Sequence, residues 1–235
     1  MDNRLIVALD FATVDEARAV VTDIGTHCQF YKVGLELLFN GGQGLIEELK
    51  QAGHRVFIDA KLLDIGTTVK KATANIAQLG GDFLTIHVTD RKTLTAARDG
   101  RGNSDLKLLG VTVMTNLEQA DLEEQGIAGL APAELVLKRA QLAFEAGLDG
   151  VIASAKEAAA IRAATGPDFL IVTPGIRPHG SAAQDQARVM TPSDAIAAGA
   201  NYLVVGRPVT EALNPAEAAE AIVAEIGTAL HGISS

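Results

Sequence analysis

Arg55-Val-Phe-Ile-Asp-Ala-Lys-Leu-Leu-Asp64 is the stretch from which the fold can be read. Its first residues, up to Ile58, are mostly apolar and partly β-branched, which predicts a buried strand. On a strand, residues two apart point to the same side. Asp59 and Lys61 are therefore expected on one face at the C-terminal end. Asp64 follows three positions later, just before Gly66-Thr-Thr68 signals a turn into a helix. Two carboxylates and an ammonium this close together are costly to bury unpaired. One reading is a structural ion pair at a strand end. The other is a catalytic acid held between carboxylates. The second is favoured because the C-terminal ends of parallel strands are where α/β folds place their chemistry.

Seven further segments have the same short apolar character: 5–9, 30–34, 82–88, 106–114, 150–154, 169–173 and 202–206. Helical signals separate them. Thr13 and Glu16 form a capping-box pattern, and Gly41-Gly42 precede a helix ending near Gly53. A helix is expected over 68–79. Pro132 suits the first turn of another, whose apolar face is Val136, Ala140, Ala143, Phe144 and Gly147, with Gly147 as C-cap. Thr191-Pro-Ser-Asp194 opens a further helix, and Asn214-Pro-Ala-Glu217 caps the last. Strands and helices that alternate without a linker give a parallel sheet with helices outside. Eight such units in 235 residues predict a single (β/α)8 barrel domain over 1–235. The alternative is an open doubly wound sheet. No G-x-G-x-x-G follows the first strand, so a Rossmann dinucleotide site is not supported.

Composition narrows the class. Apolar residues make up 48% of the chain, enough for a large core, and no run approaches the ~20 residues of a membrane span. Met1-Asp-Asn-Arg4 lacks the apolar region of a signal peptide. The single cysteine, Cys28, permits no internal disulfide and suits a reducing cytoplasm. The net charge of −9 argues against nucleic acid as a partner, so an anionic substrate needs a local basic pocket.

In a barrel the strand ends converge on one mouth. Asp10, Lys32, Asp59 and Lys61 come from the first three strands and are expected to be neighbours in an alternating charge network. On the far side, Thr173-Pro-Gly-Ile-Arg-Pro178 presents Arg177 after the seventh strand, and Gly206-Arg-Pro208 presents Arg207 after the eighth. These loops are the usual phosphate site of a barrel, and Gly206 lets backbone N–H groups approach an anion. Asp185-Gln-Ala-Arg188 lies in a loop that could close over a ligand. Surface ion pairs are the plain alternative for both arginines. The five histidines lack metal-ligand spacing, and His87 reads as a satisfied core residue. There is no G-x-S-x-G elbow.

Together, Asp59-Ala-Lys-Leu-Leu-Asp64 with Ile65, Thr173-Pro-Gly-Ile-Arg-Pro178, Asp185-Gln-Ala-Arg188 and Val205-Gly-Arg-Pro208 resemble the orotidine 5′-phosphate decarboxylase family. Val7-Ala-Leu-Asp10 and Lys32-Val-Gly34 match it too. D-x-K-x-x-D alone is shared with sugar-phosphate lyases of the same superfamily; the phosphate-loop segment is more specific. The resemblance implies a homodimeric barrel that makes UMP from orotidine 5′-phosphate, the last step of pyrimidine nucleotide synthesis, with no metal or organic cofactor. Lys61 would then protonate C6, Asp59 would crowd the departing carboxylate, and Lys32 would complete the network. Asp10 would bind ribose and Thr115 the pyrimidine. Asp64 and Thr68 would reach into the neighbouring subunit's site. Pro174, Gln186, Arg177 and Arg207 would hold the closing loop and the phosphate. Two segments depart from the family pattern. Gly66-Thr67 replaces the usual Pro-Asn, and Val88-Thr-Asp-Arg-Lys92 replaces a small, Gly-rich stretch. The rival readings are a metal-dependent sugar-phosphate decarboxylase or aldolase, and an inactive nucleotide-binding barrel.

Overall fold

Strands buried on both faces read as continuous apolar runs, and eight such runs form the sheet here. The computed structural model describes residues 4–178 and 190–233. The strands are β1 (Leu5–Leu9), β2 (Phe30–Gly34), β3 (Arg55–Leu62), β4 (Phe83–His87), β5 (Lys107–Val111), β6 (Gly150–Ile152), β7 (Leu170–Thr173) and β8 (Tyr202–Val205). Each pairs in parallel with the next, and β8 pairs with β1, so the sheet closes into a barrel with helices between the strands. The doubly wound alternative is thereby overturned, because an open sheet would leave β1 and β8 as edges.

Side chains sort by the period of two. Leu5, Val7 and Leu9 of β1 pack outward against the helices, while Ile6 and Ala8 join Phe30, Phe57, Phe83, Leu109, Val172 and Val204 inside the barrel. The inner layer is aromatic at the N-terminal end. The Phe30 and Phe83 ring centroids are 4.9 Å apart, edge to face, and Tyr202 stands 5.2 Å from Phe83. The Arg55 guanidinium lies 4.0 Å from the Phe30 centroid and closes that end.

Three side-chain staples repeat around the same end. Asp82 Oδ2 accepts the Val56 N–H at 2.7 Å, Asp149 Oδ2 the Leu108 N–H at 2.9 Å, and Asn201 Oδ1 the Ile171 N–H at 2.8 Å. Each staple residue directly precedes an even-numbered strand and satisfies the N–H of the second residue of the odd-numbered strand before it. The N-terminal face thus holds the barrel together, leaving the C-terminal face for a site.

Helix signals translate closely. Both halves of the Thr13–Glu16 box form at the start of Val14–Ile24. Gly42–Gln51 and Pro132–Glu145 lie where expected, and Gly147 follows the latter with φ 79°. The helix expected over 68–79 runs Gly66–Gln78, beginning two residues early because Ile65 (φ −58°, ψ 146°) already serves as its N-cap. The charged Val88–Lys92 segment is a helix start. Asp90 accepts the Thr93 N–H at 2.9 Å and caps Arg91–Arg101. A one-turn helix, Leu35–Leu38, carries no sequence periodicity. The fifth strand stops at Val111 rather than at 114. There Thr112 Oγ1 donates to the Ile152 carbonyl at 2.9 Å, and Arg139 Nη1 donates to the Thr112 carbonyl at 2.5 Å, so side-chain bonds replace the ladder. Among the described residues no helix is long and apolar enough to cross a membrane.

Candidate active site

The end of β3 departs from regular pleating. Its ladder to β4 pairs Ile58 with Leu84 and next Leu62 with Ile86, so four steps on β3 face two on β4. This is a bulge, and Lys61 sits in it with φ 45°, the one positive φ of a non-glycine residue among the described residues. Asp59 and Lys61 share the barrel mouth as the period of two leads one to expect, since Phe57 lies inside and Ala60 and Leu62 pack outward, and the alternation survives the bulge.

The expected network is present. Lys61 Nζ is 2.8 Å from Asp59 Oδ2, Lys32 Nζ is 3.6 Å from the same oxygen, and Lys32 Nζ is 2.8 Å from Asp10 Oδ1. Lys32 and Asp59 are buried; Asp10 is exposed at the rim. Gly34 makes room for the pair behind them, since a Cβ there would lie 3.0 Å from Lys32 Nζ and 3.3 Å from Asp10 Oδ1. Burial works to raise the Asp59 pKa. The Lys32 and Lys61 charges and hydrogen bonds from Lys61 and Thr85 outweigh it and hold the carboxyl below its ordinary range.

Thr85, on β4, is fully buried beneath this network. Its Oγ1 accepts the Lys61 backbone N–H at 2.9 Å and donates to Asp59 Oδ1 at 2.8 Å. His87 lies two residues on along the same strand. It is half-buried rather than a core residue, and burial, with the Lys61 and Arg139 charges, pushes its pKa down against the pull of Asp59.

Two cavities open at the mouth and share Lys32, Pro174 and Val204. The first, about 210 Å³, is mostly apolar and has Asp59 and Lys61 on one wall and Val111, Met114, Thr115 and Asn116 on another. The second, about 460 Å³, is bounded by Asp10, Gly175, Arg177, Gly206, Arg207 and Thr210. Arg177 is buried, its Nη1 donating to the Ile176 carbonyl at 3.0 Å, and its backbone N–H bonds the Met190 carbonyl at 3.0 Å. The joint cavity thus has an ammonium–carboxylate wall at one end and two guanidiniums at the other. Such an arrangement suits an elongated ligand with an anionic group at the arginine end and its reacting group at the other.

Asp64 and Thr68 line neither cavity, and both are exposed. Asp64 Oδ1 accepts the N–H of Ile65 at 2.6 Å. Gln186 lies outside the described residues, as do Asp185 and Arg188.

The comparisons agree with this geometry. A family model described as "Orotidine 5'-phosphate decarboxylase / HUMPS family" matches residues 3–222. The chain belongs to this family. Among the curated members of the family, an orotidine 5′-phosphate decarboxylase of Rhodopseudomonas palustris (strain HaA2) is 51% identical over 227 residues, covering 97% of this chain and 96% of its own. That of Methylobacterium sp. (strain 4-46) is 52% identical over 230 residues, covering 97% of each. The crystal structure of the Lactobacillus acidophilus orotidine 5′-phosphate decarboxylase superposes with a TM-score of 0.85 at 37% identity, over 95% of this chain and 99% of that one.

The family match spans all the residues around the two cavities. Reading the sequence did not single out Thr85, Asn116 or Arg139. Thr85 carried a usable signal: it is the one polar residue between Phe83 and His87, in the row that faces the barrel interior. Among the described residues no three His, Cys, Asp or Glu side chains converge as a metal-ligand set.

Proposed function

We propose that this chain is a carboxy-lyase that decarboxylates orotidine 5′-phosphate to UMP, as its relatives' names indicate for them. The carrying observation is the Asp10–Lys32–Asp59–Lys61 chain of alternating charge, which borders a cavity whose other end holds Arg177 and Arg207. The phosphate is assigned to the arginine end, with Gly206 and Pro174 beside it, the ribose to Asp10, and the pyrimidine to the apolar cavity near Thr115. Gln186 is assigned to the phosphate as well.

With two acids and two lysines, the network is neutral as a set. A bound carboxylate next to Asp59 adds an excess negative charge in a partly desolvated place. As the C6–carboxylate bond breaks, its electron pair stays on C6 and CO2 leaves. The Lys61 ammonium stabilises that pair as it forms and then gives C6 its proton. Such stabilisation grows towards the transition state, which is what lowers a barrier. The phosphate binds far from the reacting carbon, so its binding energy can be expressed through loop closure. Nothing in these steps calls for a metal or an organic cofactor.

The single barrel domain would act as a homodimer with shared active sites, in which Asp64 and Thr68 serve the neighbouring subunit, and it would work in the cytoplasm as an enzyme of the last step of pyrimidine nucleotide synthesis. Loss of orotidine 5′-phosphate absorbance, followed with and without EDTA, tests the reading. Turnover indifferent to EDTA is expected. EDTA-sensitive turnover would favour a metal-dependent lyase, and UMP binding without turnover an inactive nucleotide-binding barrel.

A further inference from the structure

We propose that Thr85 is the positioning residue of this site, its single hydroxyl fixing both the Asp59 carboxylate and the backbone from which Lys61 projects. The inference rests on the decarboxylase reading above. A backbone N–H can only donate, so at 2.9 Å from Lys61 N the Thr85 oxygen must be the acceptor. A hydroxyl has one proton, and the carboxylate 2.8 Å away at Asp59 Oδ1 is its acceptor. The direction of both bonds is thereby determined. The two oxygens of Asp59 then have separate tasks, Oδ1 held by Thr85 and Oδ2 facing the two lysines.

The bulge explains why a hydroxyl is needed there. Between the Ile58–Leu84 and Leu62–Ile86 pairs, β3 has three residues and β4 has only Thr85. Lys61 has no paired residue on β4 within this gap, and its N–H bonds the threonine side chain. Thr85 is fully buried, so water does not compete for either bond. Without the hydroxyl, Asp59 can rotate and the left-handed Lys61 loses its tether.

The test compares Thr85→Val, which keeps the shape and removes the hydroxyl, with Thr85→Ser, which keeps the hydroxyl. Thr85→Val should lower kcat by roughly 10- to 100-fold, the scale of a reacting group misplaced by about 1 Å. KM and UMP affinity should stay near wild type, because the phosphate is held elsewhere. UMP stoichiometry by calorimetry reports the folded fraction, so a merely unfolded population cannot pass for a lower kcat. Thr85→Ser should recover most of the loss. Should Thr85→Val fail to fold, Thr85→Ala against Thr85→Ser makes the same comparison. Full kcat in the hydroxyl-free variant, or a serine variant as impaired as valine or alanine, overturns the role. Amide exchange at Lys61, followed by NMR, gives an arm independent of activity: it should be faster in Thr85→Val, and unchanged exchange overturns the tie. A wild type that leaves orotidine 5′-phosphate intact defeats the decarboxylase reading and with it the catalytic purpose of the tie, while the exchange arm still judges the tie itself.

Discussion

The Lys61 ammonium lies 2.8 Å from Asp59 Oδ2 while the Lys61 backbone is held at φ 45°. A non-glycine residue in the left-handed region costs on the order of 1–3 kcal/mol, and the surroundings must over-determine it for it to persist. Lys61→Ala should abolish turnover yet leave UMP binding measurable by calorimetry, because in the proposed mechanism the side chain acts at the reacting carbon and not at the phosphate. Lys61→Gly should be equally inactive but about 1 kcal/mol more stable than Lys61→Ala in denaturant titration, since glycine adopts φ 45° without a Cβ penalty. Near-normal turnover in either variant would remove Lys61 from the chemistry. An alanine variant as stable as the glycine variant would mean that the backbone carries no strain.

Arg207 bounds the larger cavity beside Gly206. Arg207→Ala should weaken ligands bearing the phosphate by at least tenfold, about the worth of one charge-assisted bond. Affinity for the bare nucleoside should barely change. Isothermal titration with UMP and with uridine separates the cases, and equal losses for both ligands would make this arginine a support of the fold.

Asp59 gives a pH dependence whose sign can be worked out. Burial pushes its pKa up, but Lys32, Lys61 and Thr85 bring the net value below the ordinary range, so the folded state binds its proton less readily than the unfolded chain does. The stabilisation is therefore complete above the unfolded value of about 4 and is lost as pH falls through the lower folded value. Wild-type Tm should drop more steeply below about pH 4 than that of Asp59→Asn, which has no carboxylate to protonate there. Parallel Tm-against-pH curves for the two proteins would show that Asp59 is not held ionised.

The barrel was legible because strands buried on both faces leave unbroken apolar runs such as Leu5–Leu9, which survive whatever the loops do. Asp10, Lys32 and Asp59 were legible for a related reason. Consecutive parallel strands are neighbours in space, so three strand-end charges must meet. The bulge was not legible: two extra residues in β3 show only against β4, and nothing local to Lys61 announces φ 45°. Thr85 showed as a polar residue in the inner row, but its bond to the Lys61 N–H belongs to the bulge and could not be read locally. Asp90 illustrates a third kind of difficulty. It was visible as part of a charged departure from the family pattern, but its use as a helix cap depended on where the helix began.

Asp64 is exposed, accepts the N–H of Ile65, and lines neither cavity of its own chain, while Leu63 and Ile65 on either side are 57% and 74% exposed. An acid between two exposed apolar side chains is what the proposed subunit interface requires of this segment. If it serves the neighbour's site, each site of a two-fold dimer combines Lys61 of one chain with Asp64 of the other. Lys61→Ala and Asp64→Ala homodimers should then each be almost inactive. In a mixed dimer one site collects both defects and the other collects neither. Random re-assortment of equal amounts makes half the dimers mixed, so about one quarter of all sites should regain wild-type composition. Unfolding the two inactive proteins together and refolding them should therefore restore activity to about that fraction. Native mass spectrometry reports whether heterodimers have formed. A mixture that contains them and stays as inactive as its parents would assign Asp64 to its own chain and rule out the shared site.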